Sequence, residues 1–149
     1  MVETIHGFLE ENARKYPDKD AFITRNARLT FPEMNQKANQ IARYLKENGI
    51  KKGNRMAVLS RNNERFFFSY FALLKIGAIP MPVNVKLTPG EISAMLQNVD
   101  ADGIIFESEF KPAIEAILES IPKLTVHHIH PLLEKSASHD DSNLNIQLG

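Results

Sequence analysis

Three histidines, His127, His128 and His130, form the densest group of potential metal ligands in the chain. Side chains alternate along a strand, so His128 and His130 share one face there and His127 takes the other. Two same-face imidazoles with no carboxylate nearby fall short of the ligand set of a protein zinc site, and the trio reads as a solvated strand end with no metal expected. Glu107 and Glu109 have the same alternate spacing and could work as an acid and base pair; the competing reading is a strand end running into Ser108 as a helix cap. Serine, histidine and aspartate all occur, but no spacing assembles them into a nucleophilic triad. Cysteine is absent, which removes thiolate catalysis, disulfides and Cys-ligated zinc together and fits a reducing, cytoplasmic compartment. No G-x-G-x-x-G and no G-x-x-x-x-G-K-[ST] occurs, so the glycine-rich cradles for dinucleotides and nucleotide phosphates are missing. No catalytic residue is expected within these 149 residues.

The elements that would position such groups follow from periodicity and stop signals. Thr4 can start a helix with Ile5, Phe8, Leu9 and Ala13 on one face, ended by Pro17; "AFIT" and "RLTF" then read as a small β-hairpin turning at Arg25, Asn26 and Ala27. Thr30 and Glu33 have capping-box spacing with Pro32 in the first turn, ahead of a stripe of Met34, Ala38, Ile41, Ala42 and Leu45 that stops at Gly49. "RMAVLS" is a short buried strand, Asn62 or Asn63 caps a helix apolar almost all round, and Gly77 stops it. Residues 78–83 form the next strand, and Thr88, Pro89 and Glu91 repeat the capping arrangement. "GIIFE", a helix striped by Phe110, Ile114, Ile117, Leu118 and Ile121, and the strand "LTVHHI" before Pro131 complete the series. Strand and helix thus alternate from Arg55, which predicts a three-layer α/β fold with a mostly parallel sheet and helices on both faces. The α/β unit is expected over 1–133, with 134–149 a linker or disordered tail, because apolar periodicity is lost there. Ligands of such sheets bind beyond the carboxyl ends of the strands, which singles out "SRNN" after Leu59, "NVK" after Val83 and "ESE" after Phe106.

Eighteen basic residues balance eighteen acidic ones, so no global field favours nucleic acid, and Lys51, Lys52 and Arg55 read as a solvated turn. Glu3, Glu10 and Glu11 occupy the opening stretch, where a signal peptide has a basic start and an unbroken apolar run. The apolar run 66–83 is interrupted by Lys75, Gly77, Pro80 and Pro82, which suits a buried helix and strand rather than a membrane span.

"LTFPEM" (29–34), "LLKIGAIPMPVN" (73–84) and "LTPGEISAML" (87–96), in that order and separation, resemble the two earliest signatures of the adenylate-forming superfamily of acyl-CoA synthetases, luciferases and peptide-synthetase adenylation domains. The resemblance covers roughly 1–130. It implies the N-terminal segment of an enzyme that activates a carboxylic acid with ATP and Mg as an acyl-adenylate and passes the acyl group to coenzyme A. Asn84 resembles the acid:CoA ligases, where amino-acid-activating domains more often carry aspartate. The family's phosphate loop, nucleotide-binding motifs and C-terminal lysine have no counterpart here, so the segment alone is expected to be inactive and to hold no cofactor. One residue carries over: Lys86, two positions after Asn84, stands where some acid:CoA ligases have a basic residue, more often arginine, near the phosphates of coenzyme A; the alternative is a solvated loop lysine. In the family, the glycine of the second signature turns a buried helix into a central strand. The rival readings are an aryl- or amino-acid-activating enzyme and a stand-alone α/β interaction module. Self-association as a homodimer is expected through the aromatic run Phe66, Phe67, Phe68, Tyr70 and Phe71 and through any open sheet edge.

Overall fold

The structure is a computed structural model that describes residues 5–23 and 28–144. Thr4 and the turn residues Arg25, Asn26 and Ala27 lie outside the described residues. Helix α1 (Ile5–Lys15) leads into an antiparallel hairpin of β1 (Asp20–Ile23) and β2 (Arg28–Thr30). There follow α2 (Phe31–Glu47), β3 (Arg55–Leu59), α3 (Glu64–Lys75), β4 (Ile79–Pro82), α4 (Pro89–Asn98) and β5 (Gly103–Phe106). A 3-10 turn (Ser108–Phe110), α5 (Lys111–Ser120), β6 (Thr125–His128) and α6 (Ile129–Ser136) complete the series.

Helix starts follow the local chemistry. Thr30 accepts the Glu33 N–H at 3.3 Å and donates its own N–H to the Glu33 carboxylate at 3.0 Å; Thr88 and Glu91 repeat the exchange at 3.2 and 3.0 Å. Asn63, not Asn62, caps α3 by accepting the Phe66 N–H at 3.1 Å. Helix ends are equally specific. At the end of α3, Gly77 takes φ +78° while the Ala78 N–H reaches the Leu73 carbonyl at 3.0 Å and the Gly77 N–H reaches the Leu74 carbonyl at 3.1 Å. Gly49 ends α2 in the same motif, and Asp100 ends α4 with φ +51°, the one non-glycine in the left-handed region among the described residues.

Strands β3 to β6 form a parallel sheet in the order β4-β3-β5-β6, so the connection through α4 carries the chain from one side of β3 to the other. Alternation along the central strands divides the core. Met56, Val58 and Ile105 face the layer of α1, α2, α3 and α6, whereas Ala57, Leu59 and Ile104 face α4 and α5. The expected three layers, helices on both faces and leading hairpin are all present.

Four features depart from the sequence reading. Strand β4 lies at the sheet edge rather than at its centre: the Ile79 and Val83 N–H groups bond to the Asn54 and Val58 carbonyls at 2.7 and 3.0 Å, which leaves Pro80 and Pro82 at the alternate positions, where no N–H is needed. Strand β6 stops at His128 and helix α6 follows, with Pro131 in its first turn, where the missing donor is harmless. Residues 137–144 lie along α2: Gln40 donates to the Ala137 and His139 carbonyls, Asn39 to Asp141, and Arg43 to Asp140 and Ser142. That contact is mostly polar, with Leu144 packed against the core, and its hydrogen bonds join residues 97 or more apart in sequence, beyond the reach of apolar periodicity. Phe66 and Phe68 are buried in the chain's own core and Phe67, Tyr70 and Phe71 are half-buried against it, because α3 packs between α2 and the sheet.

Candidate functional site

Reversal of strand order opens a crevice beyond the carboxyl ends of an open parallel sheet. Here it holds a cavity of about 320 Å3 lined by Ser60, Arg61 and Asn62 from the turn after β3 and by Val83, Asn84 and Val85 after β4. Asn84 shapes its own side of the cavity. Its side-chain oxygen accepts the Lys86 N–H at 2.9 Å and its carbonyl the Leu87 N–H at 3.1 Å, a tight turn of the kind short amide side chains favour, and Lys86 stands exposed on that turn.

The opposite wall is tied to β5. Glu107 is 6% exposed, and its carboxylate accepts from the Ser60 hydroxyl, from Asn63 Nδ2 at 2.6 Å and from Arg65 at 3.0 Å. Burial pushes the Glu107 carboxyl up, but the bonds from Ser60, Asn63 and Arg65 and the Arg65 charge outweigh it and hold the group below the usual carboxylate range. Glu109 faces other donors: it receives Arg61 Nε at 2.8 Å in an exposed pair. The two glutamates are therefore not an acid and base pair. Ser108 makes no helix cap either; its hydroxyl lies 2.7 Å from His128 Nε2. His128 stacks on Phe106 with ring centroids 5.0 Å apart and meets His130 edge-on at 5.7 Å. Burial, then the neighbouring His130 and Lys111 charges, lower the His128 pKa, and burial alone lowers that of His127. Among the described residues no three metal-ligating side chains converge.

The structure thus joins two of the three loops singled out by sequence into one cavity and braces it with the third. Sequence reasoning missed the Glu107 cluster, whose partners lie 42 to 47 residues away. It also missed a buried cluster on the helical face, where the Lys75 ammonium meets Asn35 at 2.8 Å and Glu10 at 3.4 Å, and Asn35 in turn meets Asn143 at 2.8 Å. A cleft of about 570 Å3 between α1, α2 and residues 141–143 adjoins it. The signal was present: a lysine between Leu74 and Ile76 in an apolar helix needs an internal partner.

The cavity is lined by Arg61, whose Nε is paired with Glu109, by Ser60, whose hydroxyl donates to Glu107, and by the amides of Asn62 and Asn84 between Val83 and Val85, so it presents amide chemistry to a polar ligand. The sequence pattern of the AMP-binding enzymes matches residues 9–147. The chain belongs to that family. The chain is 30% identical over 96% of its length to the fatty acid–[acyl-carrier-protein] ligase ScoC of Streptomyces coeruleorubidus, spanning 28% of that protein. It is 31% identical over 80% of its length to a long-chain-fatty-acid–CoA ligase of Salmonella typhimurium, spanning 21% of it. The N-terminal domain of FACL13 from Mycobacterium tuberculosis superposes with a TM-score of 0.89 at 26% identity, covering 97% of this chain and 38% of that one. The segment therefore spans well under half of each relative, and the resemblance carried by the two early signatures is upheld.

Proposed function

We propose that this chain is the N-terminal segment of an ATP-dependent, AMP-forming acid:CoA ligase acting on a fatty or other acyl acid, with its first α/β subdomain running on through α6 and the residues 137–144 that lie along α2. In that reaction a substrate carboxylate attacks the α-phosphorus of ATP and pyrophosphate leaves; the coenzyme A thiol then attacks the acyl carbonyl and AMP leaves. Mg would neutralise the phosphates, held with ATP by parts of the parent that this segment does not supply. The segment by itself offers no glycine-rich cradle and no catalytic lysine, and it is taken to be inactive alone.

The observation that carries the reading is the strand-end cavity lined by Asn84 and Val85, followed by the turn on which Lys86 stands exposed, in a chain of this family. Lys86 is assigned a contact with a coenzyme A phosphate, for which a flexible ammonium is suited as a point charge. Lys86→Ala in the full-length ligase is expected to raise the KM for coenzyme A about tenfold, the worth of one charge-assisted contact, and to leave acid-dependent pyrophosphate exchange unchanged. An unchanged KM removes the role. The likeness to ScoC favours one second reading, in which the thiol acceptor is an acyl-carrier protein; comparing thioester yields with the two acceptors separates them.

The protein is proposed to be cytoplasmic; among the described residues no helix is long and apolar enough to cross a membrane. The isolated chain is further proposed to form a homodimer. Because the aromatic run of α3 is buried or half-buried against the chain's own core, the contact is assigned to the open edge of β6, where Val126 is exposed, rather than to that run or to the proline-bearing edge of β4.

A further inference from the structure

The carboxylate of Glu107 does more than satisfy its neighbours. Ser60 and Asn63 flank Arg61 and Asn62, the two residues that turn the chain after β3 and line the cavity opposite Asn84. Both flanking side chains donate to Glu107 Oε1, while Oε2 takes Arg65 from the first turn of α3. Within the turn the Asn63 N–H closes on the Arg61 carbonyl at 2.9 Å, and Asn63 Oδ1 caps α3. One buried anion on β5 therefore fixes both ends of a two-residue wall that belongs to β3. We propose that Glu107 is a positioning residue for the thiol acceptor: by holding Ser60 and Asn63 it sets the Arg61–Asn62 wall at the spacing from Asn84 and Lys86 that receives the polar, phosphate-bearing part of coenzyme A. The inference rests on the acid:CoA ligase reading and adds to it a residue that touches neither substrate.

The chemistry explains why a carboxylate stands here. Three donors converge, and an ionised carboxylate accepts all of them through its four lone-pair sites, whereas a glutamine would turn an N–H2 toward Asn63 or Arg65. A wall displaced by about 1 Å is enough to lose an order of magnitude or more in a positioned reaction, although every contacting side chain is intact.

The test separates acceptor binding from adenylation in the full-length ligase that contains this segment. Glu107→Ala is expected to raise the KM for coenzyme A about tenfold while acid-dependent ATP–pyrophosphate exchange stays within about twofold. Asn63→Asp gives a second approach that keeps the α3 cap, since aspartate caps as well as asparagine, but sets a carboxylate against Glu107; it is expected to raise the same KM. In Asn63→Asp combined with Glu107→Gln the donor and acceptor exchange places, and the KM is expected to return toward that of the parent. If exchange and thioester formation fall in parallel in both single variants, or if the KM for coenzyme A stays at the parent value, the positioning role is overturned. Lys86→Ala, run alongside, tells the two readings apart: a Lys86 effect with no Glu107 effect overturns only the present inference, and the reverse overturns only the Lys86 contact.

Discussion

The ammonium of Lys75 ends inside the helical layer, with the Glu10 carboxylate at 3.4 Å and the Asn35 amide oxygen at 2.8 Å. Burial lowers its pKa to about 8; the Glu10 charge and hydrogen bond oppose the shift and Arg43 adds to it. A base with a folded pKa below its unfolded value binds fewer protons when folded. The destabilising contribution is therefore fully present below pH 8 and is relieved as pH rises toward 10.5, the reverse of a lysine that gains from its ion pair. Urea midpoints measured from pH 7 to pH 10 are expected to show the chain gaining roughly 2 kcal/mol relative to Lys75→Met, by linkage. A constant difference across that range would mean that Lys75 ionises as freely in the fold as in water. Residues such as Lys75 and Glu107 were the least legible in the sequence. Spacing reveals neighbours three or four positions away, as for Thr30 with Glu33, but the partners of a buried charge come from other elements. Asn84 and Lys86 were assigned roles by the family resemblance alone, and the structure adds the local turn in which Asn84 accepts the Lys86 N–H.

At the scale of elements, the capping boxes and glycine stops were read correctly, whereas Ser108 as a helix cap and Pro131 as the mark of a strand end alone were not. Capping boxes, glycine stops and the Asn63 cap lie within a turn of the residues they serve, so the sequence carries them whole. Pro131 misled because proline ends a strand but also suits the first turn of a helix, and only tertiary packing of Ile129 and Leu132 decides between them. The left-handed residues give this scale its prediction. Gly77→Ala imposes a Cβ on a residue at φ +78° and is expected to lower stability by about 1 kcal/mol, whereas Asp100→Gly at φ +51° should raise it by a few tenths. Equilibrium urea unfolding checks both, and a Gly77→Ala chain as stable as the parent would show that the turn after α3 does not depend on glycine.

At the scale of the molecule, the alternation from Arg55 onward was enough to predict a parallel layered sheet, since few topologies accommodate it. What it could not give was the folding of residues 137–144 onto α2, a contact made largely of carbonyls and polar side chains, with Leu144 against the core. The proposed homodimer belongs here too: sedimentation equilibrium at micromolar concentration is expected to show dimers, and Val126→Lys to shift them to monomer by placing like charges across a shared edge. A monomeric parent chain would show that the β6 edge is not self-complementary. The central claim, that this segment is the N-terminal part of an acid:CoA ligase, is tested most directly by acid-dependent ATP–pyrophosphate exchange and acyl-CoA formation, assayed in parallel for the isolated chain and for the full-length protein that contains it. The expected result is background for the chain alone and both activities for the full-length protein. Exchange by the chain alone, or a full-length protein that yields no acyl-CoA from any carboxylic acid, would contradict the assignment.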